Sequence, residues 1–522
     1  QASGRIAAVQ IIIGSTAFLG RPVRIVILHD ISEQRRLHQQ LHYQAMHDAL
    51  TGLPNRLRLL EKINQYLLSV RLHGASLAVF FIDLDKFKFI NDSLGHAAGD
   101  TVLCEIAQRL LALPLQGGVV ARLGGDEFVV ALPYAAASES VLMGELILAE
   151  ILRPIALGHS EQVMGGSIGF AHVSHDECDA EMLLKRADIA MYHAKENGGN
   201  AVCAFAEEMQ QELDARLLLE SRLRLGIKRN ELVLHYQPQV DLSSGMLVSV
   251  EALVRWQSPD YGFLYPGAFI ALAEEVGLIR DIGAWVMNEA CRQMVQWHGL
   301  GVGWVRVAVN ISPLDLGSDD IVRRVSEVLA QHGVPPECLE LEITESLSIG
   351  DPELALELIA RIKALGVALA IDDFGVGYSN LGYLKRFPAE RLKIDQSFIR
   401  GLSGDRHDRA IVATIIQLAR SLSMQALAEG VETLADARIL LELGAHLIQG
   451  YWISRPIASD ALLLLLQQSQ VLDPQQLLTV AKTPKVLIVD DHPVMLATME
   501  SILSHLPVEV LSAQSAEAAQ MM

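Results

Sequence analysis

The sequence predicts a multidomain protein of mixed α/β and α+β class, in which an α+β domain precedes an irregular (β/α)8 barrel. Two patterns indicate this fold class. Strands and helices alternate over residues 47–205, and eight strand-like runs follow within residues 230–456, most of them separated by helical stretches. The length of 522 residues agrees with roughly three to four domains at ~150 residues each.

Composition and charge narrow the classes of protein to which the chain can belong. Hydrophobic residues make up 51% of the sequence and charged residues 20%, which is typical of globular domains and excludes disordered, collagen-like and disulfide-stapled chains. The formal net charge of -20 disfavours binding to nucleic acid polymers. Small anionic substrates stay compatible with this charge where metal ions or local basic residues neutralise them.

The cysteines and the apolar runs bear on the compartment. The 5 cysteines are scattered without a CxxC pair, as expected for reduced thiols in a cytoplasmic protein. No uninterrupted apolar run reaches the ~18 residues of a membrane span, so membrane contact is not indicated. The first residue is Gln1 rather than Met, so the sequence reads as a fragment, and an upstream membrane anchor stays open.

The start of the chain predicts a β-hairpin in residues 1–32 and a polar helix in residues 33–46. The β-rich runs IAAVQIIIG and RPVRIVIL flank a turn with Gly and Pro, and Ser32 is the expected N-cap of the helix. Leu37, Leu41 and Ala45 are spaced by four over fewer than three heptads. A dimerising coiled coil and a plain linker helix are therefore equally open.

Residues 47–205 predict one α+β domain. The buried strand LAVFFIDLD at 77–85 ends in two carboxylates, and the runs 119–123 and 127–132 flank Gly124-Gly125 in a tight hairpin. The other elements expected in this domain are helices at 92–113, 136–152 and 180–196 and a strand at 162–171.

Residues 206–468 predict the barrel. Its eight strands are LHYQPQV, SVEALVRW, VRVAVNIS, LELEITES, VALAIDDFG, RLKIDQSF, MQALAEGVE and LIQGYWIS. Only DLSSGML joins the first two, which is too short for a crossover helix, so this pair should be antiparallel. A linker at 469–484 and a short unit at 485–522 follow, with a strand ending in Asp490 and Asp491, a helix at 494–504 and the strand VEVLSA.

Residues that can bind metal or phosphate stand at the ends of nearly all barrel strands: Glu251, Asn310, Glu342, Glu345, Asp372, Asp373, Lys393, Glu429, Glu432 and Gln449. The C-terminal ends of barrel strands share one face, where active sites are built. Carboxylates gathered there need cations to stay ionised, and all-oxygen ligands favour Mg²⁺ or Mn²⁺ over Zn²⁺. Two such ions suit the hydrolysis of a phosphodiester, with Lys393 near the water and Arg255 on a phosphate.

The series Glu251-Ala252-Leu253, VNIS, ELEITES, IDDFG, LKID, EGVE and QGY resembles the EAL family of cyclic di-GMP phosphodiesterases over residues 210–468. The resemblance implies hydrolysis of cyclic di-GMP to linear pGpG with two Mg²⁺ or Mn²⁺ ions. Lys393 and Glu429 would handle the nucleophilic water, and Gln237 and Gln449 would line the site. The implied metal ligands are Glu251, Asn310, Glu342, Asp372, Asp373 and Glu429.

The loop after Asp373 departs from the pattern of the EAL family. It reads DFGVGYSNL, with Val376 and Asn380, where the family usually has DFGTGYSSL. In the family this loop helps to couple dimerisation to activity, and the resemblance implies that Glu345 braces it. Because the metal ligands are unchanged, the departure concerns regulation more than chemistry.

A second group of carboxylates lies in the α+β domain. Asp83 ends a strand and Asp126 occupies the hairpin turn, so the two acids meet over one cation if the hairpin lies beside that strand. Glu127 adds a third carboxylate, and Gly124 and Gly125 let a nucleotide approach the backbone. On its own, a Gly-Gly-Asp turn is usually an ordinary hairpin.

DALTGLPNR, DLDKFKFINDSLGHAAGD and ARLGGDEF resemble the GGDEF family of diguanylate cyclases over residues 45–205. The resemblance implies a ferredoxin-like, cyclase-type palm domain that condenses two GTP molecules, one from each subunit of a homodimer. One or two Mg²⁺ or Mn²⁺ ions would bind with GTP, and Glu127 would assist the 3′-hydroxyl. The implied ligands are Asp83, Asp126 and the Leu84 carbonyl for metal, Asn91 and Asp100 for guanine, and Lys88 and Lys195 for phosphate.

Two departures from the GGDEF family bear on this domain. Gly199 replaces a phosphate-binding Arg of the family, which predicts weaker GTP binding or turnover. Leu115 and Gly118 hold the Arg and Asp positions of the family's inhibitory product site, so product feedback through that site is not expected.

The two ends of the chain resemble parts of signalling domains. VILHDISEQRR is similar to the last strands of a PAS sensor domain and its exit helix, with a generic hairpin as the alternative. KVLIVDDHPVM is similar to the first strand of a response-regulator receiver, in which Asp490 and Asp491 would hold Mg²⁺. The sequence stops before the phosphoacceptor strand, so a sensor kinase would act only through a complete receiver.

Together these features predict a cytoplasmic enzyme of cyclic di-GMP signalling with phosphodiesterase activity and an additional cyclase activity. Three alternatives stay open. In the first, the cyclase activity dominates. In the second, the GGDEF domain binds GTP as a regulator without turnover. In the third, the whole chain binds cyclic di-GMP without chemistry. The incoming signal, the oligomeric state and the net direction of turnover do not follow from the sequence.

Overall fold

The computed structural model divides the chain into two compact units, Gln1–Leu218 and Leu219–Met522. Each unit has its own sheets and its own hydrophobic clusters. The residues that the structure describes are 8–18, 21–133, 137–158, 160–174, 178–317, 320–345, 352–376, 384–468, 470–478, 485–503, 509–515 and 519.

The chain starts with an antiparallel hairpin of β1 (Val9–Phe18) and β2 (Arg21–Asp30), as predicted. A helix follows at Ser32–Met46, which begins at Ser32 itself, so the prediction of Ser32 as the N-cap is wrong. The Ser32 hydroxyl instead accepts a hydrogen bond from the Ala8 N–H and ties the helix start to the hairpin. The relation of this hairpin to a PAS domain stays a prediction.

The α+β domain is built around β3 (Leu77–Asp85), which is buried along nearly all its length. Alternate β3 residues enter two different hydrophobic clusters, Phe80 one and Phe81 the other, so both faces of the sheet are covered. The other strands are β4 (Val119–Gly124), β5 (Glu127–Pro133), β6 (Ile155–Leu157), β7 (Ser160–Gln162), β8 (Gly165–Val173) and β9 (Val202–Ala204). The sheet order is β4-β5-β3-β8-β9, with β3 antiparallel to both its neighbours.

The helices of this domain confirm most of the sequence prediction. They are Arg56–His73, Phe87–Leu94, His96–Ala112, Ala137–Ile151 and Ala180–Glu196, and a further helix, Glu207–Lys228, follows. The single helix expected at 92–113 is wrong, because two helices meet at Gly95. Gly95 has a φ of 84°, which a continuous helix excludes and which glycine adopts without strain.

Eight strands close into a barrel in the second unit, which confirms the predicted fold class. The strands of this sheet are β10 (Leu232–Asp241), β11 (Leu247–Ser258), β12 (Gly262–Leu264), β13 (Arg306–Ile311), β14 (Leu339–Thr344), β15 (Ala368–Phe374), β16 (Arg391–Ile394), β17 (Gln425–Ala428), β18 (Leu447–Ile448) and β19 (Ile457–Ala458). The first two, β10 and β11, are antiparallel as predicted. The strands from β13 to β18 run parallel to β11, and β18 pairs antiparallel with β10 to close the ring. β12 and β19 pair outside the ring.

The barrel has an apolar outside and a polar inside. Along β14, Leu339, Leu341 and Ile343 join the hydrophobic cluster, whereas Glu340 and Glu342 contact basic residues of β16. The helices of this unit around the barrel are Ile270–Glu275, Ile279–Gly299, Asp320–His332, Pro352–Ala364, Gln396–Ile399, Arg406–Ser421, Leu434–Leu443 and Ser459–Gln468.

Beyond the barrel, a short helix at Pro474–Leu478 lies within the predicted linker. β20 (Lys485–Val489) and β21 (Glu509–Ala513) then pair in parallel, with the helix Pro493–Leu503 between them in sequence. This order agrees with the start of a receiver, which stays a prediction. Within the described ranges, no helix combines the length and the apolar character needed to cross a bilayer.

Gly450 marks a point where the barrel leaves no room for a side chain. A Cβ there would lie 2.1 Å from the Val431 carbonyl oxygen. We expect Gly450→Ala to destabilise the barrel by about 2 kcal/mol or more. Urea unfolding followed by tryptophan fluorescence measures this, because all 5 tryptophans lie within the barrel sequence.

Gly267→Ala is the matched control for this prediction, because its Cβ would meet no atom within 4 Å. It should change the free energy of unfolding by less than about 0.5 kcal/mol. Equal stabilities of the two variants would contradict the steric argument.

Candidate active sites

A buried lysine lies at the centre of the acidic end of the barrel. The Lys393 Nζ atom is 2.7 Å from Glu342 Oε2, 2.8 Å from Glu429 Oε1 and 2.9 Å from Asp372 Oδ1. Glu251 Oε1 stands 3.8 Å from the same atom. We call Glu251, Glu342, Asp372, Asp373 and Glu429 the acidic cluster. The structure therefore brings together carboxylates that lie up to 178 positions apart in the sequence, from 251 to 429.

Strand register explains why these side chains meet. Asn310 on β13 stands opposite Glu342 on β14, and Gln237 on β10 stands opposite Glu251 on β11. Asp372 is near the C-terminal end of β15, and Glu429 directly follows β17. Because the strands from β11 onward run parallel, these positions share one end of the ring.

Two side-chain amides hold Glu251 from opposite sides. Asn310 donates from Nδ2 to Glu251 Oε1 at 2.7 Å, and Gln449 donates from Nε2 to Glu251 Oε2 at 2.5 Å. Gln449 Nε2 also donates to Gln237 Oε1 at 3.0 Å. Gln237 and Gln449 thus line the acidic end of the barrel, where the sequence analysis put them.

The pKa values of four acids in the acidic cluster are shifted from their ordinary values, three upward and one downward. Burial raises the pKa of Glu342 well above its ordinary value, and the nearby Glu251 carboxylate adds to the rise. Burial also raises the pKa of Asp373 to about 6 and that of Glu429 to about 8. For Glu251 the effect of burial is outweighed by Lys393 and the two amide donors, so its pKa is lowered.

The charge balance of the acidic cluster fits divalent cations. Four of the five carboxylates form ion pairs with the single ammonium group of Lys393, and Glu342 Oε1 is buried without a hydrogen-bond partner among the residues the structure describes. Oxygen atoms of Asp372, Asp373 and Glu429 lie within 4.8 Å of one another. Asp373 has a φ of 52°, a left-handed backbone that is strained for a non-glycine residue and is typical of functional positions. An all-oxygen ligand set of this kind suits hard cations.

Arg255 is a buried cation beside this cluster. Its guanidinium group lies 5.3 Å from the centre of the Tyr265 ring, and Nη1 donates to the Val254 carbonyl oxygen at 2.8 Å. Within the described part of the chain its Nε finds no hydrogen-bond partner. A buried donor without a partner is costly, so this position favours an anionic ligand.

Glu345 contacts the backbone that follows the acidic cluster. Its Oε2 accepts a hydrogen bond from the Gly375 N–H at 2.9 Å, and its own N–H donates to the Asp372 carbonyl oxygen. Val376 is exposed, and Asn380 lies outside the described residues. Glu432, also a strand-end acid, is exposed and is not part of the cluster.

The α+β domain gathers a smaller set of carboxylates. Asp83 at the end of β3 stands opposite Glu127 at the start of β5, and Lys195 Nζ lies 2.6 Å from Asp83 Oδ1. Burial raises the pKa of Asp83 against the effect of Lys195, and the Asp126 carboxylate adds to the rise. Burial raises the pKa of Glu127, and the nearby Asp188 carboxylate adds to that rise. In the described residues, only the barrel brings three carboxylates within 4.8 Å of one another.

Arg122 holds the hairpin turn that carries Asp126. Its guanidinium group donates to the Gly125 carbonyl oxygen at 2.7 Å and to Asp48 Oδ1 at 2.9 Å. Gly125 has a φ of 53°, which this turn requires. This contact was not predicted from the sequence, although Arg122 lies only three residues before Gly125.

The remaining predicted residues of this domain are more spread out. Leu84 is buried, Asn91 packs against Gly99, and the side chains of Lys88 and Asp100 are exposed. Gly199 has a φ of 69° and lies against the Asp85 carboxylate. A cavity of about 800 Å³ adjoins Glu127 and is also lined by residues that the sequence analysis did not single out, among them Arg56, Phe81 and Asp188.

Comparison with known proteins agrees with this geometry. The EAL domain pattern matches residues 220–456, and the pattern for "Diguanylate cyclase, GGDEF domain" matches residues 45–201. This chain belongs to the tandem GGDEF–EAL family. We accordingly refer to residues 45–201 as the GGDEF domain and to the barrel as the EAL domain.

Several relatives share both domains. The chain is 41% identical over 428 residues to "Bifunctional diguanylate cyclase/cyclic di-GMP phosphodiesterase MucR" of Pseudomonas aeruginosa, covering 82% of this chain and 62% of MucR. It is 39% identical over 425 residues to "Cyclic di-GMP phosphodiesterase NbdA" of the same organism, covering 81% of this chain and 54% of NbdA. The chain thus spans about three fifths or less of these relatives.

A solved structure, "PaMucR Phosphodiesterase, c-di-GMP complex", is 44% identical to this chain. The match covers 47% of this chain and 99% of that structure, with a TM-score of 0.46.

The raised pKa values of Asp373 and Glu429 predict a pH-dependent affinity for divalent cations. A cation binds ionised carboxylates, so below about pH 8 it must displace a proton from Glu429, and below about pH 6 a second from Asp373. The Mn²⁺ dissociation constant should therefore rise as the pH falls, approaching about tenfold per pH unit for each displaced proton. Isothermal titration calorimetry at several pH values measures it.

Asp373→Asn is the informative variant for this pH dependence. It should weaken Mn²⁺ binding and remove the part of the dependence near pH 6, because the amide does not titrate there. The same Mn²⁺ affinity in the wild type at about pH 8.5 and about pH 6 would show that these carboxylates do not hold the cation.

Proposed function

We propose that the EAL domain hydrolyses cyclic di-GMP to linear pGpG with two divalent cations, Mg²⁺ or Mn²⁺. The observation that carries this proposal is the acidic cluster around Lys393, in which four carboxylates form ion pairs with one ammonium group and Asp373 adds a fifth acid. The names of MucR and NbdA, both called cyclic di-GMP phosphodiesterases, support it.

Each residue of the cluster has a part in this proposal. When bound, paired hard cations supply an activated water and stabilise charge on the phosphate. Glu429 accepts the proton of the attacking water, and Lys393 neutralises charge beside it. The residues proposed to hold the cations are Glu251, Asn310, Glu342, Asp372, Asp373 and Glu429. Among them Glu251 is already ionised in the absence of metal, because two amides and Lys393 stabilise its charge.

Three further residues are proposed to bind the substrate. Arg255 offers a buried guanidinium group with an unused donor among the described residues, which suits a phosphate oxygen. Gln237 and Gln449 line the same end of the barrel and orient the substrate. Glu345 is proposed to brace the loop after Asp373 through its hydrogen bond to the Gly375 N–H.

A second candidate function is the condensation of two GTP molecules to cyclic di-GMP by the GGDEF domain. The neighbouring carboxylates of Asp83, Asp126 and Glu127 favour it. We propose metal binding by Asp83, Asp126 and the Leu84 carbonyl, with Glu127 assisting the 3′-hydroxyl. The residues proposed to bind GTP are Asn91 and Asp100 for guanine, and Lys88 and Lys195 for phosphate.

The alternative for the GGDEF domain is regulation by GTP without turnover. Gly199 supplies no cationic side chain for phosphate, which favours this alternative over a fast cyclase. We further propose a cytoplasmic homodimer, because condensation needs two GTP sites. A sensor kinase would be a partner through a complete receiver.

Asp372→Asn tests the phosphodiesterase. It should lower the rate of cyclic di-GMP hydrolysis by at least about 10²-fold, because it removes a carboxylate that holds a cation. Chromatographic analysis of pGpG formation measures the rate, and circular dichroism checks the fold. Asp460→Asn, at an exposed acid on the helix Ser459–Gln468, is the control and should keep the wild-type rate. A folded Asp372→Asn variant with full activity would refute the metal assignment.

Asp126→Asn tests the GGDEF domain. With GTP and Mg²⁺, the wild type should form cyclic di-GMP if the domain is a cyclase, and the variant should not. Under the regulatory alternative, GTP is not consumed but changes the hydrolysis rate. The exposed Asp92, changed to Asn, is the matched control. Hydrolysis of cyclic di-GMP should persist in both variants, because the acidic cluster is unchanged.

A further inference from the structure

A chain of hydrogen bonds between buried side chains runs from Glu251 into the interior of the barrel. Gln449 Nε2 donates to Glu251 Oε2 at 2.5 Å, and Gln239 Nε2 donates to Gln449 Oε1 at 2.8 Å. Arg391 Nη1 in turn donates to Gln239 Oε1 at 2.9 Å. All four side chains are at least nine-tenths buried.

Arg391 is fixed at the inner end of this chain. Its side chain is 1% exposed, and Nη1 lies 3.0 Å from Oε1 of the fully buried Glu340. Nη1 also donates to the Ser249 hydroxyl at 2.8 Å. A guanidinium group has donors only and stays charged in proteins, so its hydrogen bonds have a fixed direction.

This fixed direction passes along the two glutamines. Because Arg391 only donates, Gln239 must turn its oxygen toward Arg391 and its NH₂ group toward Gln449. Gln449 must then turn its oxygen toward Gln239 and its NH₂ group toward Glu251. The Gln237 amide agrees with this orientation, because its Nε2 donates to the Ser454 carbonyl oxygen and its Oε1 accepts from Gln449.

We propose that Arg391 and Gln239 are positioning residues for Glu251, acting through the orientation of the Gln449 amide. A reversed Gln449 amide would place its oxygen against Glu251 Oε2 and Gln237 Oε1, where three acceptors meet without a proton. Glu251 would lose one of its two amide donors and its fixed place at the cation site. The predicted effect on hydrolysis rests on the proposed function, whereas the predicted effect on cation binding can be tested without it.

Two substitutions at Gln239 test the direction of the relay. Gln239→Glu keeps the shape and the contact with Arg391, but an ionised carboxylate offers only acceptors. It therefore pulls the Gln449 NH₂ group away from Glu251. Gln239→Met removes both polar contacts and leaves Gln449 free to keep donating to Glu251. A purely structural role for Gln239 predicts that Met is the more harmful change, whereas the relay predicts that Glu is.

The readout is Mn²⁺ affinity of the full chain, titrated by electron paramagnetic resonance, with kcat/KM for cyclic di-GMP beside it. The binding phase that Asp372→Asn abolishes belongs to the barrel. In that phase we expect Gln239→Glu to raise the dissociation constant about 10- to 100-fold, as for other residues that orient a metal ligand. Gln239→Met should raise it less. Ser249→Ala removes a hydroxyl that also donates to Gln239 Oε1 at 2.6 Å but leaves Arg391 facing Gln239, so its effect should be smaller than that of Gln239→Glu. Asp460→Asn, at an exposed acid, is the control and should stay near the wild type.

A second pair of variants applies if Gln239→Glu does not fold. Arg391→Lys keeps a donor-only cation and should retain Mn²⁺ affinity, whereas Arg391→Gln can present its oxygen to Gln239 and should weaken binding. Wild-type affinity in Gln239→Glu, a larger loss in Gln239→Met, or equal effects of the two Arg391 variants would each overturn the relay. The variants could instead rank in Mn²⁺ affinity as expected while the wild type does not hydrolyse cyclic di-GMP. That result would refute the proposed function alone.

Discussion

The attraction between one buried ammonium group and the carboxylates around it is the interaction on which the barrel site depends. Lys393 is almost inaccessible to water, and so are Glu342 and most of Glu251. Charges in such a place are tolerated only when they are paired, because their desolvation costs several kcal/mol per ion. One ammonium group cannot satisfy five acids. Burial accordingly raises the pKa values of Glu342, Asp373 and Glu429, and these acids are among those proposed to hold divalent cations.

The pairing pattern of the barrel makes this concentration of charge possible. Along β14 the apolar side chains face the helices and the acidic ones face the interior, so the fold keeps a large hydrophobic cluster outside the ring. The polar interior extends from the acidic cluster through Gln239 to the ion pair of Arg391 and Glu340. Removing a single partner from such a network would leave a buried group unsatisfied, which is costly.

The sequence was sufficient for the features that follow from regular repeats. The alternation of strands and helices predicted the barrel, the short link between β10 and β11 predicted their antiparallel pairing, and the strand-end acids converge as expected. The break at Gly95 was missed because a helical pattern continues on both sides of one glycine. Gln239 and Arg391 were missed for a different reason. An arginine or glutamine in a strand usually faces solvent, and Arg391 finds its acceptors 51, 142 and 152 positions away in the sequence, contacts that only the closed ring creates.

Strand β10 runs antiparallel to β11, and this direction also decides where the polypeptide enters the EAL domain. Leu232, at the start of β10, stands opposite Trp256 near the end of β11, and the Trp256 Nε1 donates to Glu231. The helix Glu207–Lys228 therefore delivers the chain to the rim that carries the acids, whereas a regular barrel receives its incoming chain at the opposite rim. Residues 229–231, which join this helix to β10, therefore lie at the same rim as the acidic cluster.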